Sequence, residues 1–450
     1  MSQNGSVAAS NFSPLSALAK GQTATAARGS MPVLDPRLPS LSAVLDLVRS
    51  SAASTRPEIE ALTGLSRKVV AQRVSELLDA GVLNEGPLGP STGGRAPRRL
   101  AFSSSAGVIL VAAFGSSGMS AGLANLSGTM ITQEHRTHPI ADGPEAGLAL
   151  AVKLWKKLLR AAAADDPGIE RRVWGAGISL PGPVEFLTAR PVAPPIMPGW
   201  DNYPVRERIQ HEWAVPVWVD NDVNAMALGE LRTGVARGSS EVIYVKLGTG
   251  IGAGIVSRGG LHRGARGVAG DVGHIAVREK LGVRCRCGRI DCLEAVAGGA
   301  ALLDQARQAA ANGSSETLQR LMKRDGALTL RHLTEAAEHG DTITIDLLRD
   351  SGLRVGEMLA SLINTLNPSL IVLGGHVAES GDLVLATVRQ AIYDRSHPVA
   401  TRDLVITRSV DSDAVGLTGA AFIVIDEVFA TEALGRWIDN GRPSSALQSA

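Results

Sequence analysis

Two stretches of this chain repeat one design. VILVAAFGSSGMSAGLANLSG starts at Val108, and VIYVKLGTGIGAGIVSRGG starts at Val242. Each is a run of small and β-branched apolar residues, a glycine turn and a second such run. Apolar runs of this length bounded by glycine read as buried strands joined by a tight turn. A unit that occurs twice predicts two related lobes with a cleft between them. VWGAGISL, VPVWVDND and LIVLGG read as further buried strands. EAGLALAVKLWKKLLRAAAA and GEMLASLINTLN read as helices. Strand alternating with helix from about residue 106 means an α/β body with largely buried sheets.

Size and composition set the frame. The 450 residues allow two or three domains. Hydrophobic content is 44% but aromatics are only 3%, so small aliphatics and Ala must fill the core. The formal net charge is +1. No global field therefore draws the chain to a nucleic acid or a membrane, and any such role must be local. No apolar window of about 18 residues is present, so no transmembrane helix is expected. The N-terminal stretch lacks a basic segment followed by an apolar one. The expectation is a soluble cytoplasmic protein. Residues 1–40, rich in Ser, Ala and Gly, are expected to be a flexible arm.

Residues 41–102 read as a small head. Leu41, Val44, Leu45 and Val48 fall on one helix face. In STRPEIEALTGL, Thr55 and Glu58 form a capping box, with Pro57 in the first turn. Ile59 and Leu62 are expected to face inward, and Gly64 ends the helix. Ser66 caps a third helix whose Val70, Val74, Leu77 and Leu78 form its buried stripe. Helix, short glycine turn, helix is the helix-turn-helix pattern. The exposed side of the third helix is expected to carry Arg67, Lys68, Gln72 and Arg73, beside Ser66, where a recognition helix meets base edges. Val82–Leu83 and Leu100–Phe102 are expected to pair as a wing. Its tip carries Arg95, Arg98 and Arg99 for phosphates or a minor groove. Taken singly, these helices also fit a helical cap with a solvated basic face. Together the features favour DNA binding.

All three cysteines of the chain lie in CRCGRIDC, from Cys285 to Cys292. Three cysteines make no disulfide scaffold. With His274 just upstream, Cys285, Cys287 and Cys292 offer three thiolates and one imidazole, the donor set of a closed tetrahedral zinc site. The competing reading is three reduced, buried thiols, which leaves their clustering without a cause. A closed site is structural, and such a site contributes folding free energy.

From about 106 to 425 the body resembles the ROK family, whose members are sugar kinases or sugar-responsive repressors. The resemblance rests on PGPVE from Pro181, PGW from Pro198, DNDVNAMALGE from Asp220 and LGTGIGAGIV from Leu247. GVAGDVGH from Gly267, CRCGRIDCLE and LGGHV from Leu373 complete it. It implies a two-lobed actin-like (ribonuclease-H-like) fold over 106–430, behind a winged helix-turn-helix and ahead of a C-terminal tail at 431–450. It also implies structural Zn(2+) on one His and three Cys.

Residue by residue, the resemblance makes Asp222 the position of the kinase base, with Asn221, Asp271, His274 and Glu294 on further sugar-contacting positions. Asp271 stands where kinases usually carry Glu. From the residues alone, Asn221 and Asp222 are equally an ordinary strand-to-helix turn with an Asx cap. ROK kinases begin with a D-x-G-G-T-K-like turn. The corresponding stretch is AFGSSG, with Ala113 in place of the acid that lies near the metal–phosphate group. The second turn, Gly248, Thr249 and Gly250, is intact as a phosphate-loop remnant.

The resulting expectation is a DNA-binding regulator, a repressor rather than an enzyme, with Asp222 as a vestigial base. Its partners would be operator DNA and a sugar or sugar-phosphate effector, with no membrane. Family resemblance implies a homodimer or homotetramer. The alternative is an active ATP-dependent sugar kinase that also binds DNA. A third reading is a docking protein without a ligand.

Overall fold

The computed structural model describes residues 35–88, 98–444 and 448. Three helices open it: α1 (Leu38–Arg49), α2 (Arg56–Thr63) and α3 (Arg67–Asp79). The caps form as expected. Thr55 Oγ1 accepts from the Glu58 N–H at 3.4 Å, and Glu58 Oε2 accepts from the Thr55 N–H at 3.0 Å. Gly64 adopts φ 68°, and Ser66 Oγ caps α3 through the Val69 N–H at 3.4 Å. Strands β1 (Leu83–Leu88) and β2 (Arg98–Phe102) pair antiparallel, with Leu83 opposite Phe102. Helix-turn-helix and wing are therefore both present.

One apolar position of this head departs from expectation. Leu62 is 60% exposed, because the single buried apolar position of α2 is Ile59. Leu78 is half-buried and packs against the same core as Val70, Val74 and Leu77.

The body holds two five-stranded sheets. The first contains β3 (Val108–Phe114), β4 (Gly118–Asn125), β5 (Met130–Thr137), β6 (Val173–Leu180) and β9 (Val217–Asn221). Helices α4 (Pro144–Ala162) and α5 (Val205–Gln210) and the short ribbon β7 (Val184–Glu185)–β8 (Arg190–Pro191) lie between them in sequence. The second sheet contains β10 (Val242–Leu247), β11 (Ile251–Ser257), β12 (Gly260–Leu261), β13 (Leu370–Gly374) and β14 (Val405–Arg408). The spatial orders are β5-β4-β3-β6-β9 and β12-β11-β10-β13-β14. In each, three antiparallel strands are followed by two parallel ones. The repeated sequence unit is thus the seed of a repeated sheet.

Helix α6 (Asp222–Thr233) follows the last strand of the first sheet. Next come α7 (Leu293–Ala297), α8 (Gly299–Ala311), α9 (Glu316–Asp325), α10 (Leu330–Glu338) and α11 (Thr342–Leu366). Helices α12 (Asp382–Arg395) and α13 (Pro398–Thr401) precede α14 (Ser412–Val428), which follows the last strand of the second sheet. The two strand-following helices cross over. Helix α6 packs on β11 of the second sheet, and α14 on β3 and β6 of the first. They also pack on each other through glycine. A Cβ at Gly229 would lie 2.0 Å from the Val415 carbonyl oxygen, and one at Gly419 would lie 1.7 Å from that of Ala225.

The segment after 430, expected as a tail, forms α15 (Thr431–Trp437) and a 3-10 turn, Ile438–Asn440. Leu434, Trp437 and Ile438 are buried in the same apolar cluster as Leu41, Val44, Leu45 and Val48 of α1. The chain has only six tryptophans and six phenylalanines. Two of each meet here: Phe102 on Phe429 at 5.8 Å, Trp174 on Trp437 at 5.1 Å, and Phe429 on Trp437 at 6.0 Å. Such pairs add about 0.5–1.5 kcal/mol each beyond their buried area. Polar contacts rim the junction. Arg49 lies 3.6 Å from Asp426, which Arg232 of α6 also meets at 2.7 Å. Partly exposed ion pairs contribute only ~0.2–1 kcal/mol, so the shared apolar core, with Phe102 of the head against Phe429 of the body, is what holds head to body. Among the described residues no single helix is long and apolar enough to cross a membrane.

The contact at Gly419 makes a checkable demand. Gly419→Ala forces α6 and α14 apart and is expected to cost about 1–3 kcal/mol. Gly416→Ala places its Cβ 3.5 Å from Met226, an ordinary contact. It is expected to be neutral or to stabilise by up to about 1 kcal/mol, by removing a glycine from a helix interior. Urea denaturation of the two variants side by side tests the difference.

Candidate functional site

A cleft of about 1030 Å³ separates the two sheets. Both glycine turns line it, one from each lobe. They meet at their tips, where Ser116 Oγ and Thr249 Oγ1 are 3.0 Å apart. The first turn closes through the Gly115 N–H on the Gly118 carbonyl at 2.8 Å, with Ala113 paired to Ser120 and Ser179 on either side. The second closes through the Gly248 N–H on the Gly250 carbonyl at 3.0 Å. The Gly248 and Thr249 carbonyls accept from Gly299 and Ala300 at the start of α8.

Asn221 ends β9 and caps α6. Its Oδ1 accepts from the Val223 N–H at 2.9 Å and the Asn224 N–H at 3.2 Å. Its Nδ2 donates to the Gly182 carbonyl at 3.0 Å. Asp222, the first residue of α6, is buried, with its Oδ2 2.5 Å from Lys246 Nζ. The residue alone gives no hint of this pairing, because Lys246 lies on a strand of the other lobe. Glu294 Oε2 accepts from the Ile251 N–H at 3.0 Å, so this carboxylate braces the second glycine turn from below. Asp271 is exposed at the cleft and sits 3.9 Å from His274 Nε2. Asn221, Asp222, Asp271, His274 and Glu294 all line the one cleft, as do Gly248, Thr249 and Gly250.

His274 presents its other nitrogen to the thiols. Its Nδ1 is 3.6 Å from Cys285 Sγ, Cys287 Sγ is 3.7 Å from Cys292 Sγ, and the four ligand atoms lie within 4.8 Å of one another. A tetrahedral ion with arms of about 2.3 Å to sulfur and about 2.0 Å to nitrogen has edges of about 3.8 Å and about 3.5 Å. The cluster fits a metal ion on those grounds. Burial, helped by hydrogen bonds among the thiols, pushes the Cys292 thiol up to about 12. Thiolates gathered in this place therefore call for a cation to offset them. The loop is preformed by backbone bonds. The Cys285 N–H donates to the Arg289 carbonyl at 2.8 Å and the Asp291 N–H to Val283 at 2.7 Å. Asp291 takes φ 59° at the corner.

The ROK family matches residues 113–427. This chain belongs to that family. A xylose repressor from Caldicellulosiruptor bescii is 30% identical over 387 residues, covering 86% of this chain and 95% of that one. A solved ROK family transcriptional regulator, described as a homologue of the E. coli MLC protein, superposes with a TM-score of 0.76 at 24% identity. It covers 90% of this chain and 99% of its own. A ROK family glucokinase from Streptomyces griseus, solved in complex with glucose and AMPPNP, superposes with a TM-score of 0.59 at 30% identity. It covers 70% of this chain and 99% of its own. The ROK fold and the helical head before it are thus both represented among solved proteins.

The head's candidate residues divide. Ser66, Arg67, Lys68 and Gln72 are exposed on α3, and Arg98 and Arg99 are exposed on β2. Arg98 also lies 3.6 Å from Glu85. Arg95 falls outside the described residues. Arg73 does not belong with them. It is 8% exposed, donates to Ser40 Oγ at 2.9 Å and pairs with Glu76 at 2.6 Å. It points into the head because the half-buried Ser40 hydroxyl of α1 offers an acceptor, which a reading confined to α3 does not see. Sequence reasoning also missed Lys246, Asp220, Arg263 and the Arg49–Asp426–Arg232 rim. Only tertiary structure brings their partners together.

Asn221 anchors the helix whatever else it touches. Asn221→Ala removes the cap and is expected to lower stability by about 0.5–2 kcal/mol, while Asn221→Ser retains most of it. Thermal denaturation of the ligand-free variants checks this.

Proposed function

We propose that this chain is a sugar-responsive transcriptional repressor. The observation that carries the reading is extent. The xylose repressor aligns over 86% of the chain, whereas the glucokinase structure covers 70% of it. What the longer match adds is the room occupied by a helix-turn-helix head, docked on the body through a shared core.

Ser66, Arg67, Lys68 and Gln72 meet base edges, and Arg95, Arg98 and Arg99 meet phosphates or a minor groove. The proteins act as homodimers or homotetramers, so that paired heads meet half-sites about one helical turn apart. The sugar, or a sugar phosphate, binds between the lobes on Asn221, Asp222, Asp271, His274 and Glu294. Ligand that bridges the lobes favours one lobe arrangement over the other. Because α14 rests on the first sheet, follows the second and continues into α15 against α1, a change of lobe angle moves the head.

The cleft is poor for phosphoryl transfer. Ala113 offers no carboxylate at the first turn, and metal-assisted charge neutralisation dominates that chemistry. Asp222 is paired with Lys246, which occupies one of its carboxylate oxygens. The intact Gly248–Gly250 turn favours the second reading, a kinase that also binds DNA. Zinc is the ion proposed for His274, Cys285, Cys287 and Cys292. It would supply no catalysis, only a cross-link that holds His274, through its Nε2, beside Asp271.

Two experiments test this. In gel-shift assays with DNA from upstream of the chain's own gene, D-xylose or D-glucose is expected to release the protein. Arg67→Ala is expected to cost about 1–3 kcal/mol of discrimination against random DNA. In a coupled ATP assay no turnover is expected with either sugar. Turnover lost on Asp222→Asn would establish the kinase reading instead. For the metal, about one zinc per chain is expected on elemental analysis. Cys292→Ser and chelation are each expected to remove it, lower the melting temperature and weaken sugar binding.

A further inference from the structure

Residues 262–271 run from β12 to the 3-10 turn Val272–His274, outside any helix or strand. Gly264, Gly267 and Gly270 all take left-handed φ, at 69°, 78° and 98°. Such a sequence has no intrinsic preference for one path. Yet this segment carries Asp271 and His274 into the cleft. It leaves the second lobe's edge strand and touches the first lobe, where a Cβ at Gly267 would lie 2.2 Å from the Val184 carbonyl oxygen of β7. It then returns to the second lobe through the Ala253 N–H on the Gly270 carbonyl at 2.8 Å. It is a strap laid across the mouth between lobes.

One side chain fixes where the strap crosses. Arg263 Nε donates to Asp220 Oδ2 at 2.7 Å, and its guanidinium lies 3.8 Å from the ring centroid of Phe186, in the loop after β7. Asp220 is fully buried in β9. Its other oxygen accepts from the Asn221 N–H at 2.8 Å and Asn224 Nδ2 at 2.8 Å. A buried carboxylate without a cation is strongly disfavoured. Glu427 of α14 closes the far side; burial raises its carboxyl above the ordinary range, while the charge of Arg263 works against that rise. The same Asp220 thus holds the strap through Arg263 and the start of α6 through Asn221 and Asn224.

We propose that Arg263 is a positioning residue for the ligand cleft: its pair with Asp220 sets Asp271 and His274 of the second lobe in register with Asn221 and Asp222 of the first. The assignment of these four to the ligand rests on the repressor reading; the positioning of the strap does not. Arg263 touches no ligand itself. It decides the spacing between the two halves of the sugar site, and so which ring size and hydroxyl pattern fit.

The test uses the full chain as Arg263→Gln, Arg263→Lys, Asp220→Asn and the Arg263→Gln/Asp220→Asn double variant. Hydrogen exchange of the peptide covering 253–275 is measured without ligand, alongside the melting temperature. D-xylose and D-glucose are titrated by calorimetry. Arg263→Gln is expected to speed exchange at Ala253, Ala269 and Asp271 at least tenfold and leave α1–α3 and α11 unchanged. It is also expected to weaken tenfold or more whichever of the two sugars the wild type binds. Arg263→Lys, which keeps the charge, restores most of both, and the double variant is less damaged than Asp220→Asn alone. Strap exchange equal to wild type in Arg263→Gln, or faster exchange spread evenly over the chain, overturns the proposal. A wild type that binds neither sugar counts against the sugar-responsive reading, while strap exchange still decides the role of Arg263.

Discussion

The backbone contact between α6 and α14 is the constraint on which the rest of this molecule depends. Each helix leaves one sheet and covers the other, so the pair is common to both lobes. Gly229 and Gly419 bring the helices to contact distance, where any side chain would strike the opposing carbonyl. With aromatics at 3% of the chain, few large side chains are available to bridge a wider gap. Close approach of small residues replaces bulk as the source of packing energy.

This contact ties the site to the head. The N-terminal end of α6 is the Asn221–Asp222 corner of the cleft. Its C-terminal end is Arg232, which shares Asp426 with Arg49 of α1. Helix α14 runs alongside it and ends at Phe429, in the aromatic cluster under the head. The ion pairs are too exposed to bear much energy. The shared apolar cluster and the crossed helices form the packed connection through which a change in lobe angle would reach the head.

The cleft itself combines features that pull toward different chemistries. Both glycine turns are closed, but one is braced by Glu294 while the other follows Ala113. Asp222 is ion-paired with Lys246 across the lobes. The thiol cluster lies beside the strap, so a cation there would stiffen the same segment that Arg263 places. The shape of such a cleft depends on how its two lobes are registered, because residues of both line it.

The local features were legible because they rest on short-range physics. The repeated strand–glycine–strand unit gave two sheets of equal order, and Thr55 and Glu58 gave a capping box. Periodicity and capping act within a few residues, and a sequence displays them directly; the grouping of His274 with Cys285, Cys287 and Cys292 rested on the crowding of the thiols together with the family resemblance. Tertiary structure alone decided that Arg73 turns inward to Ser40, that residues 431–440 become part of the head's foundation, and that Lys246 and Arg263 reach across to Asp222 and Asp220. Each of these turns on a partner far away along the chain. A buried charge goes to whichever counter-charge the fold brings within reach, and that distance is written in no local stretch of residues.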